Sequence, residues 1–506
     1  MNKRRFIALI LAIALPIIFV ISTAAAWSHS YVPTLDLMAP NDPTSIASIV
    51  YYWYYDGDQG GGEEAGLGYS VSTAGDVNGD GNDDIIIGAP VYSQTTDLEG
   101  VAFVFYGPLP VPNAAPDWTF GSGQKGARLG AAAGTAGDVN GDGCDDVIIG
   151  AYAYDVGEQQ AGQDAGRAYV FYGCLGAGNG LSTTPNWILD GEARNDYFGA
   201  AVGTAGDVNG DGYDDVIVGA PQHDNGEPNE GRVYVFLGTD VQTTTLFWST
   251  ESDQASALLG TSVGTAGDVN GDGYDDIIVG APQYDNGEKD EGAAFVFYGS
   301  DSGISASWMS DSNQANAEFG TSVDTAGDVN GDGYDDIIIG APAYTNTISS
   351  KGAAFAFYGS PAGLGTTADW EIGGGQQDSR LGISVGTAGD VNGDGYDDVI
   401  IGAHLYSTSY TSPSQQGGAF VFSGSDTGLL TTVYWSADGG KAGTEFGYSV
   451  GTAGDVNGDT YADVIIGAPR FRRSRILYGR AFVYRGTQDP PTFTITLPLV
   501  LRTSPP

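Results

Sequence analysis

The sequence contains few of the residues on which catalysis and nucleic-acid binding usually depend. Only three histidines occur among 506 residues, namely His29, His223 and His404. They lie far apart, and none stands in a serine–histidine–aspartate or histidine–glutamate metal pattern. Lys and Arg total 19 against 63 Asp and Glu, giving a net charge of −44, and such an acidic surface repels phosphate backbones. We therefore expect neither an enzyme nor a nucleic-acid-binding protein.

Long apolar runs are also scarce, and the one that could cross a membrane lies at the N-terminus. The basic residues Lys3, Arg4 and Arg5 precede an apolar run over Phe6–Ile21, and small residues follow up to Ala26. This order predicts a signal peptide over residues 1–26, cleaved after Ala26, with an uncleaved anchor as the alternative. We expect a secreted or cell-surface protein whose mature chain does not insert into a membrane.

Cysteine is limited to two residues, Cys144 and Cys174. They fall at opposite ends of two strands that are expected to be antiparallel neighbours. The sequence therefore predicts a disulfide between them in an oxidising compartment, with two free thiols as the alternative.

Aspartate, asparagine and glycine are concentrated in a nine-residue segment that recurs seven times. In Asp207–Asp215, oxygen-bearing side chains occupy positions one, three, five and nine, and glycines at positions four and six allow a tight turn. Ca²⁺ takes six to eight oxygen ligands in a flexible geometry, so this loop suits it. The copies recur about every 60 residues, which indicates one repeat fold rather than separate domains. They begin at Asp76, Asp138, Asp207, Asp268, Asp328, Asp390 and Asp455.

Around each loop the sequence carries four strand signals and no helical period. A Gly-Thr-Ala-Gly strand precedes the loop, a β-branched run follows it, an alternating strand comes third, and a tryptophan marks the fourth. The seventh repeat lacks this fourth strand, but Trp53 in the segment 46–55 can supply it. We predict an all-β, seven-bladed β-propeller of four-stranded blades over residues 46–486, closed by an N-terminal strand that completes the last blade. Residues 27–45 form a linker, and residues 487–506 form a Pro-containing tail that is too short to span a membrane as a helix.

The repeat resembles the FG-GAP repeat of integrin alpha-subunit β-propellers, and it is similar to the bacterial secreted members. In the third repeat, Phe198-Gly199 and Gly219-Ala220-Pro221 flank the Asp-Val-Asn-Gly-Asp-Gly loop. The resemblance implies Ca²⁺ in the hairpin between the first two strands of each blade and ligand recognition on the opposite face. All seven repeats carry the loop here, whereas animal members keep it in only some blades.

The resemblance also implies that position seven contributes its backbone carbonyl, beside the side chains of positions one, three, five and nine. We therefore predict up to seven structural Ca²⁺ ions. The predicted ligands are Asp76, Asn78, Asp80, Asn82, Asp84, Asp138, Asn140, Asp142, Cys144, Asp146, Asp207, Asn209, Asp211, Tyr213, Asp215, Asp268, Asn270, Asp272, Tyr274, Asp276, Asp328, Asn330, Asp332, Tyr334, Asp336, Asp390, Asn392, Asp394, Tyr396, Asp398, Asp455, Asn457, Asp459, Tyr461 and Asp463.

Alternatives to a structural Ca²⁺ site remain at this point. Mg²⁺ or Mn²⁺ could replace Ca²⁺, and Asx turns without an ion could use the same residues. Position eight, Asp214 in the third repeat, is expected to point away from the ion. Repeat seven is expected to bind more weakly, because Thr460 replaces the glycine at position six and Ala462 replaces the aspartate at position eight. Seven near-identical sites favour a structural over a catalytic role.

The sequence favours a monomeric, adhesion-type interaction module that binds an unknown protein or surface glycan. A lectin with one site per blade is the alternative, because a tyrosine recurs four residues after the glycine that ends the second strand. Hydrolase or lyase activity is a weaker alternative. The basic segment Arg470–Arg475 could dock an acidic partner or be an ordinary solvated loop. The recurring tyrosines are Tyr92, Tyr154, Tyr284, Tyr344 and Tyr406.

Overall fold

The computed structural model describes nine stretches of the chain, all within one compact unit. They are residues 52–57, 65–157, 163–175, 180–240, 244–346, 349–350, 352–407, 415–473 and 476–488. The predicted signal peptide and linker lie outside the described residues, as does the tail from residue 489 onward. Within the described stretches, no helix has the length and apolar character needed to cross a membrane.

The described chain forms seven four-stranded antiparallel sheets, as predicted, and each sheet is one blade of a propeller. The sheets are numbered here as blades 1 to 7 in the order of their nine-residue aspartate segments, which are called metal loops below because they are predicted to bind Ca²⁺. Blade 1 holds β2 Ser70–Gly75, β3 Asp84–Ala89, β4 Val101–Phe105 and β5 Trp118–Gly121; blade 2 holds β6 Ala132–Gly137, β7 Asp146–Ala151, β8 Arg167–Phe171 and β9 Trp187–Asp190; blade 3 holds β10 Ala201–Gly206, β11 Asp215–Ala220, β12 Arg232–Leu237 and β13 Thr245–Glu251; blade 4 holds β14 Ser262–Gly267, β15 Asp276–Ala281, β16 Ala293–Tyr298 and β17 Ser305–Asp311.

Two of the remaining three blades carry an additional two-stranded ribbon. Blade 5 holds β18 Ser322–Gly327, β19 Asp336–Ala341, β22 Ala353–Phe357 and β23 Trp370–Gly373, with the ribbon β20 Thr345–Asn346 and β21 Ser349–Ser350; blade 6 holds β24 Val385–Gly389, β25 Asp398–Ala403, β26 Gly418–Phe422 and β27 Val433–Asp438; blade 7 holds β28 Val450–Gly454, β29 Asp463–Ala468, β32 Arg480–Tyr484 and β1 Trp53–Asp56, with the ribbon β30 Arg472–Arg473 and β31 Ile476–Leu477.

The N-terminal strand closes the ring as the tryptophan pattern predicts. β1 pairs antiparallel with β32, and Trp53 lies opposite Val483. Trp53 is fully buried and meets the ring of Phe105 in blade 1 edge-on, with a centroid distance of 4.8 Å. The predicted segment 46–55 is thus a strand at Trp53–Asp56, and residues 46–51 lie outside the described residues. Pairing the two chain ends removes the two free sheet edges that an open array would expose.

The second strand of each blade is buried along its whole length, because both its neighbours in the sheet and the adjoining blades cover it. In blade 3, Asp215–Ala220 is buried at every position. Its Val and Ile side chains suit a pleated surface that packs on both faces. The hydrophobic core is correspondingly divided into clusters that each join two neighbouring blades, as Trp53, Phe105 and Ile465 do between blades 7 and 1.

The glycines of the FG and GAP motifs lie where backbones of adjacent blades touch. A Cβ atom on Gly219 would lie 2.1 Å from the carbonyl oxygen of Gly260 in the next blade. No side chain fits such a contact, so glycine is required for the blades to approach.

Each first strand ends in a bulge that turns the chain into the metal loop. In blade 3 the register shifts between Thr204 and Gly206, and Gly206 has a φ of 70°. The Gly206 amide donates a 3.0 Å hydrogen bond to Oγ1 of Thr204, which stabilises the bend. The seven first strands lie side by side and surround an axial cavity of 510 Å³.

Candidate metal loops and the opposite face

The aspartate at position one organises the backbone of each metal loop. In blade 3, the amides of Gly210 and Asp211 donate to Oδ1 of Asp207 at 2.7 and 3.0 Å, and the amide of Gly212 donates to Oδ2 at 2.8 Å. The equivalent three bonds form in the other loops described here, for example at Asp76. Three of the roughly four lone-pair sites of the carboxylate are thus used. The loop is held tightly turned, and some acceptor capacity remains for a cation.

The aspartate at position nine is buried and anchors the loop to the sheet. Asp215 is fully buried, and it accepts hydrogen bonds from the amides of Val208 at 3.2 Å and Gly238 at 2.8 Å. Burial, together with the charge of Asp211, raises the pKa of Asp215 to about 8. The same happens at Asp84, Asp146, Asp276 and Asp336. A nearby cation would favour the ionised form of such a group.

Position five is exposed at the tip of each loop, whereas position three is half-buried in blade 3 and buried in blade 6. In blade 3, Oδ1 of Asn209 accepts a 2.8 Å hydrogen bond from the amide of Asp211. In blade 7, Nδ2 of Asn457 donates to Asp463 at 2.8 Å, so a ligating role would need the amide to turn its oxygen inward. Among the described residues, the oxygens of the three aspartates in a loop are not gathered within 4.8 Å of one another.

The donor set of these loops fits a hard cation nonetheless. Carboxylate, amide and carbonyl oxygens are what Ca²⁺ takes, and no nitrogen or sulfur donor belongs to the set. The side chain of Cys144, at position seven of loop 2, is joined to Cys174 in the predicted disulfide, so only its carbonyl is free to bind a metal. The ligand assignment itself stays a prediction.

Position eight has a role that sequence reasoning missed. Oδ2 of Asp214 accepts a 2.8 Å hydrogen bond from the amide of Asp138, which begins the metal loop of blade 2. In return, the amide of Asp214 donates to the Asp138 carbonyl oxygen at 3.2 Å. Six blades carry such an aspartate, and these six are called the ring aspartates below. They are Asp83, Asp145, Asp214, Asp275, Asp335 and Asp397.

The ring aspartates line the axial cavity together with the Thr and Gly residues that end the first strands. Burial raises the pKa of Asp145, and the charges of Asp83 and Asp214 raise it further. The glycine before each metal loop makes room for the ring carboxylate, because a Cβ atom on Gly75 would lie 2.2 Å from Oδ2 of Asp145. Position eight therefore joins blades to one another, consistent with the expectation that it points away from the ion.

Loop 7 departs from the others at two positions. Thr460 has a φ of 77°, in the left-handed region where the other six loops have glycine. Ala462 cannot supply a ring carboxylate, so only its amide bonds to Asp390 of blade 6, at 3.1 Å. The loop still forms the three bonds to Asp455 at position one.

The opposite face is formed by the connections between second and third strands, and the recurring tyrosines pack there rather than projecting outward. Tyr92 meets Phe103 edge-on at 5.4 Å, and Tyr284 meets Phe295 at 5.5 Å. The same contact forms at Tyr154, Tyr344 and Tyr406. These tyrosines are half-buried and cover the third strand of their own blade, and one sugar site per blade stays a prediction.

The basic segment Arg470–Arg475 includes part of the ribbon in blade 7, with residues 474–475 outside the described residues. Arg470 is exposed and pairs with Glu445 at 3.1 Å. Arg472 is also exposed. The corresponding connections in blades 3 and 4 are acidic, so the charge of this face varies from blade to blade.

Comparison with known proteins gives one family and several relatives. A family model described as the FG-GAP repeat matches seven segments that together make up more than half of the chain. The segments are residues 67–104, 130–171, 198–236, 259–297, 319–357, 381–422 and 446–482.

Among curated proteins, the chain is 33% identical over 222 residues to integrin alpha-5 of Xenopus laevis, covering 40% of this chain and 21% of that protein. It is 33% identical over 198 residues to integrin alpha-PS3 of Drosophila melanogaster, covering 36% of this chain and 16% of that protein. The chain thus spans about a fifth of the length of the integrins it matches. Among solved structures, the exotype rhamnogalacturonan lyase YesX has a TM-score of 0.40 and 14% identity, covering 86% of this chain and 73% of that chain.

Proposed function

Because the chain belongs to the FG-GAP repeat family, we propose that it is a secreted, calcium-stabilised propeller that binds a protein or surface glycan on the face opposite its metal loops. The observation that carries this proposal is the contrast between the two ends of the blades. The metal loops are nearly identical in all seven blades, whereas the connections at the other end differ in length, charge and secondary structure. Specific recognition needs residues that differ, so the variable face is the binding face.

Calcium has a structural role in this proposal. Each loop lies within its own hairpin, and a bound cation would favour the ionised form of the buried position-nine aspartates, such as Asp215. Up to seven ions would hold the first and second strands of each blade together. Since such ions bind the folded state alone, they stabilise it by mass action.

Catalysis is not part of the proposal, because a catalytic metal site is usually singular and keeps an open coordination position. The disulfide between Cys144 and Cys174 supports an extracellular location, since disulfides persist in oxidising compartments. A monomer is the expected state.

Thermal unfolding tests the structural role of calcium. Unfolding of the purified protein should occur at a clearly lower temperature in EDTA than in millimolar CaCl₂, and Asp215→Asn should reduce the number of bound ions by one. Asp240→Asn, outside the loops in the same blade, is the matched control and should leave the stoichiometry unchanged. Equal melting temperatures with and without calcium would contradict the proposal.

Binding to the native surface tests the interaction role. The labelled propeller should bind intact cells in calcium, and variants of the opposite face should bind less. Arg470→Glu with Arg472→Glu alters that face, while Asp80→Asn with Asn82→Asp alters the metal face without changing the net charge. A glycan array separates a sugar from a protein ligand. Loss of binding that follows only the metal-face variant would show that the binding face is misassigned.

A further inference from the structure

A second group of potential metal ligands lies in blade 3, at the end opposite the metal loops. Glu230 precedes β12, Glu251 ends β13, and Asp253 follows it. One carboxylate oxygen from each lies within 4.8 Å of the others, an arrangement found nowhere else among the described residues. Glu230 is only 1% exposed, whereas Asp253 is open to solvent. The group therefore combines a buried potential metal ligand, Glu230, with a solvent-exposed one, Asp253, through which an ion could enter.

An unpartnered histidine points into this group. The side chain of His223 is 6% exposed, and its Nε2 lies 3.7 Å from Oε1 of Glu251, too far for a hydrogen bond. No other described group accepts from or donates to Nε2. On the other side of the ring, Nδ1 lies 3.2 Å from Oδ2 of Asp196, which is 1% exposed. Nδ1 makes no hydrogen bond in this geometry, but a carboxylate beside Nδ1 is the kind of group that orients an imidazole whose Nε2 binds a metal.

His223 and Asp196 have no counterpart in the other six blades, whereas the buried carboxylate of Glu230 recurs as Glu99 in blade 1 and Glu291 in blade 4. At the position of His223 the other six blades carry an aromatic residue, and at the position of Asp196 they carry a small one. Asp253 is matched by Gly123 in blade 1, Glu192 in blade 2 and Asn313 in blade 4. Burying polar groups with incomplete hydrogen bonding costs free energy, so the presence of His223 and Asp196 in one blade alone indicates a local role. The aromatic residues are Tyr92, Tyr154, Tyr284, Tyr344, Tyr406 and Phe471, and the small residues are Ala65, Ala127, Ala257, Ala317, Ser379 and Thr444.

The charge of the surroundings favours a cation. Arg232 lies with Nε 3.4 Å from Oε1 of Glu251 and Nη1 3.1 Å from Oε2 of Glu192. One guanidinium thus faces two carboxylates, and among the described residues no Lys or Arg pairs with Glu230 or Asp253. Three acidic groups in a partly buried site repel one another unless a further positive charge is bound.

We propose that Glu230, Glu251, Asp253 and His223 bind one divalent transition-metal ion of the Zn²⁺ type. A mixed set of imidazole and carboxylate donors suits such ions, whereas the all-oxygen loops suit Ca²⁺. The site lies on the variable face and is independent of the calcium proposal.

Titration with Zn²⁺ in saturating CaCl₂ tests this site, since calcium occupies the oxygen loops. Isothermal calorimetry should detect one equivalent of Zn²⁺, and His223→Tyr and Asp253→Gly should each weaken its binding by at least tenfold. Both variants install the residue of a sister blade, so the fold is expected to persist, and near-ultraviolet circular dichroism checks this.

Two controls separate this site from other zinc ligands. Asn313→Gly places glycine at the corresponding position of blade 4, and His404→Tyr removes another histidine of the propeller. Neither variant should alter the affinity for zinc. Absence of zinc binding by the wild-type protein, or equal affinity in His223→Tyr, would overturn the proposal. Loss of binding in His404→Tyr instead would place the ion elsewhere and overturn it as well.

Discussion

Asp83 and Asp455, 372 residues apart in the chain, exchange two hydrogen bonds where the propeller closes. The amide of Asp455 donates to Oδ2 of Asp83 at 2.7 Å, and the amide of Asp83 donates to the Asp455 carbonyl oxygen at 3.2 Å. The pair joins blade 1 to blade 7 at the axis, while the pairing of β1 with β32 completes blade 7 at its outer edge. The ring is therefore closed by contacts at two places, one at the axis and one at the outer edge of blade 7.

Asp83→Ala should lower the free energy of unfolding by about 1 to 3 kcal/mol, because the part-buried amide of Asp455 loses its acceptor. Urea unfolding in excess calcium measures this change. Asp83→Asn is the matched control, since the amide oxygen can still accept the bond, and it should cost less. Equal losses in the two variants would mean that the carboxylate charge, rather than the hydrogen bond, matters at this position.

Ala462→Asn should add the missing seventh link of the ring. The amide of Asp390 has no side-chain acceptor, and Gly389 leaves the same space beside position 462 that Gly75 leaves for Asp145. We expect a gain of about 0.5 to 1.5 kcal/mol in the free energy of unfolding by urea. Ala462→Asp should gain less, because burial and neighbouring aspartates already raise the pKa of Asp397 and Asp83. A larger gain for the aspartate variant would contradict this electrostatic argument.

The fold could be predicted almost entirely from the sequence, because its signals are local and repeated. Tryptophan spacing identified the fourth strand of every blade, and the tryptophan left over, Trp53, identified the strand that closes the ring. What could not be predicted is which backbone group of another blade a side chain reaches. Asp214 was correctly expected to turn away from its own loop, but its bond to Asp138 depends on how two blades pack.

The site on the variable face was missed for a similar reason. His223, Asp196 and Glu251 are distant in sequence, so no motif contains them. A signal was nevertheless present, because aligning the seven repeats shows a histidine where the others carry an aromatic residue. Residues that depart from the repeat pattern indicate candidate sites, and only the structure shows that several such residues lie close together.

Thr460→Gly should stabilise loop 7, because threonine is strained at a φ of 77° and glycine is not. We expect a net gain of about 1 kcal/mol, after allowing for the greater flexibility of glycine in the unfolded chain. The gain should persist in EDTA, since it arises from the backbone rather than from metal binding. Gly395→Thr makes the reverse change in loop 6 and should destabilise the protein. A gain seen only in calcium would assign the effect to ion affinity instead.

His404→Tyr should reduce the sensitivity of the fold to acid. Burial, with the charge of Arg380 adding to it, lowers the pKa of His404 from 6.5 to about 4. Its ring packs edge-on against Tyr448 at 5.6 Å, and its Nδ1 lacks a hydrogen-bond partner among the described residues. Because the unfolded chain takes up the proton first, the stability that the neutral ring permits is present above pH 6.5 and is lost as the pH falls towards 4.

The size of that loss is about 3 kcal/mol, from 1.36 kcal/mol for each unit by which the pKa is lowered. Tyr152 stands at the same position in blade 2, so a tyrosine should fit at position 404. Urea unfolding of both proteins at several pH values between 4 and 7 measures the difference. Carboxylates that titrate in this range do so in both proteins. Their contributions to the free energy of unfolding therefore cancel when one curve is subtracted from the other. The wild-type curve should fall more steeply than that of the variant, and parallel curves would show that His404 is not held neutral by its burial.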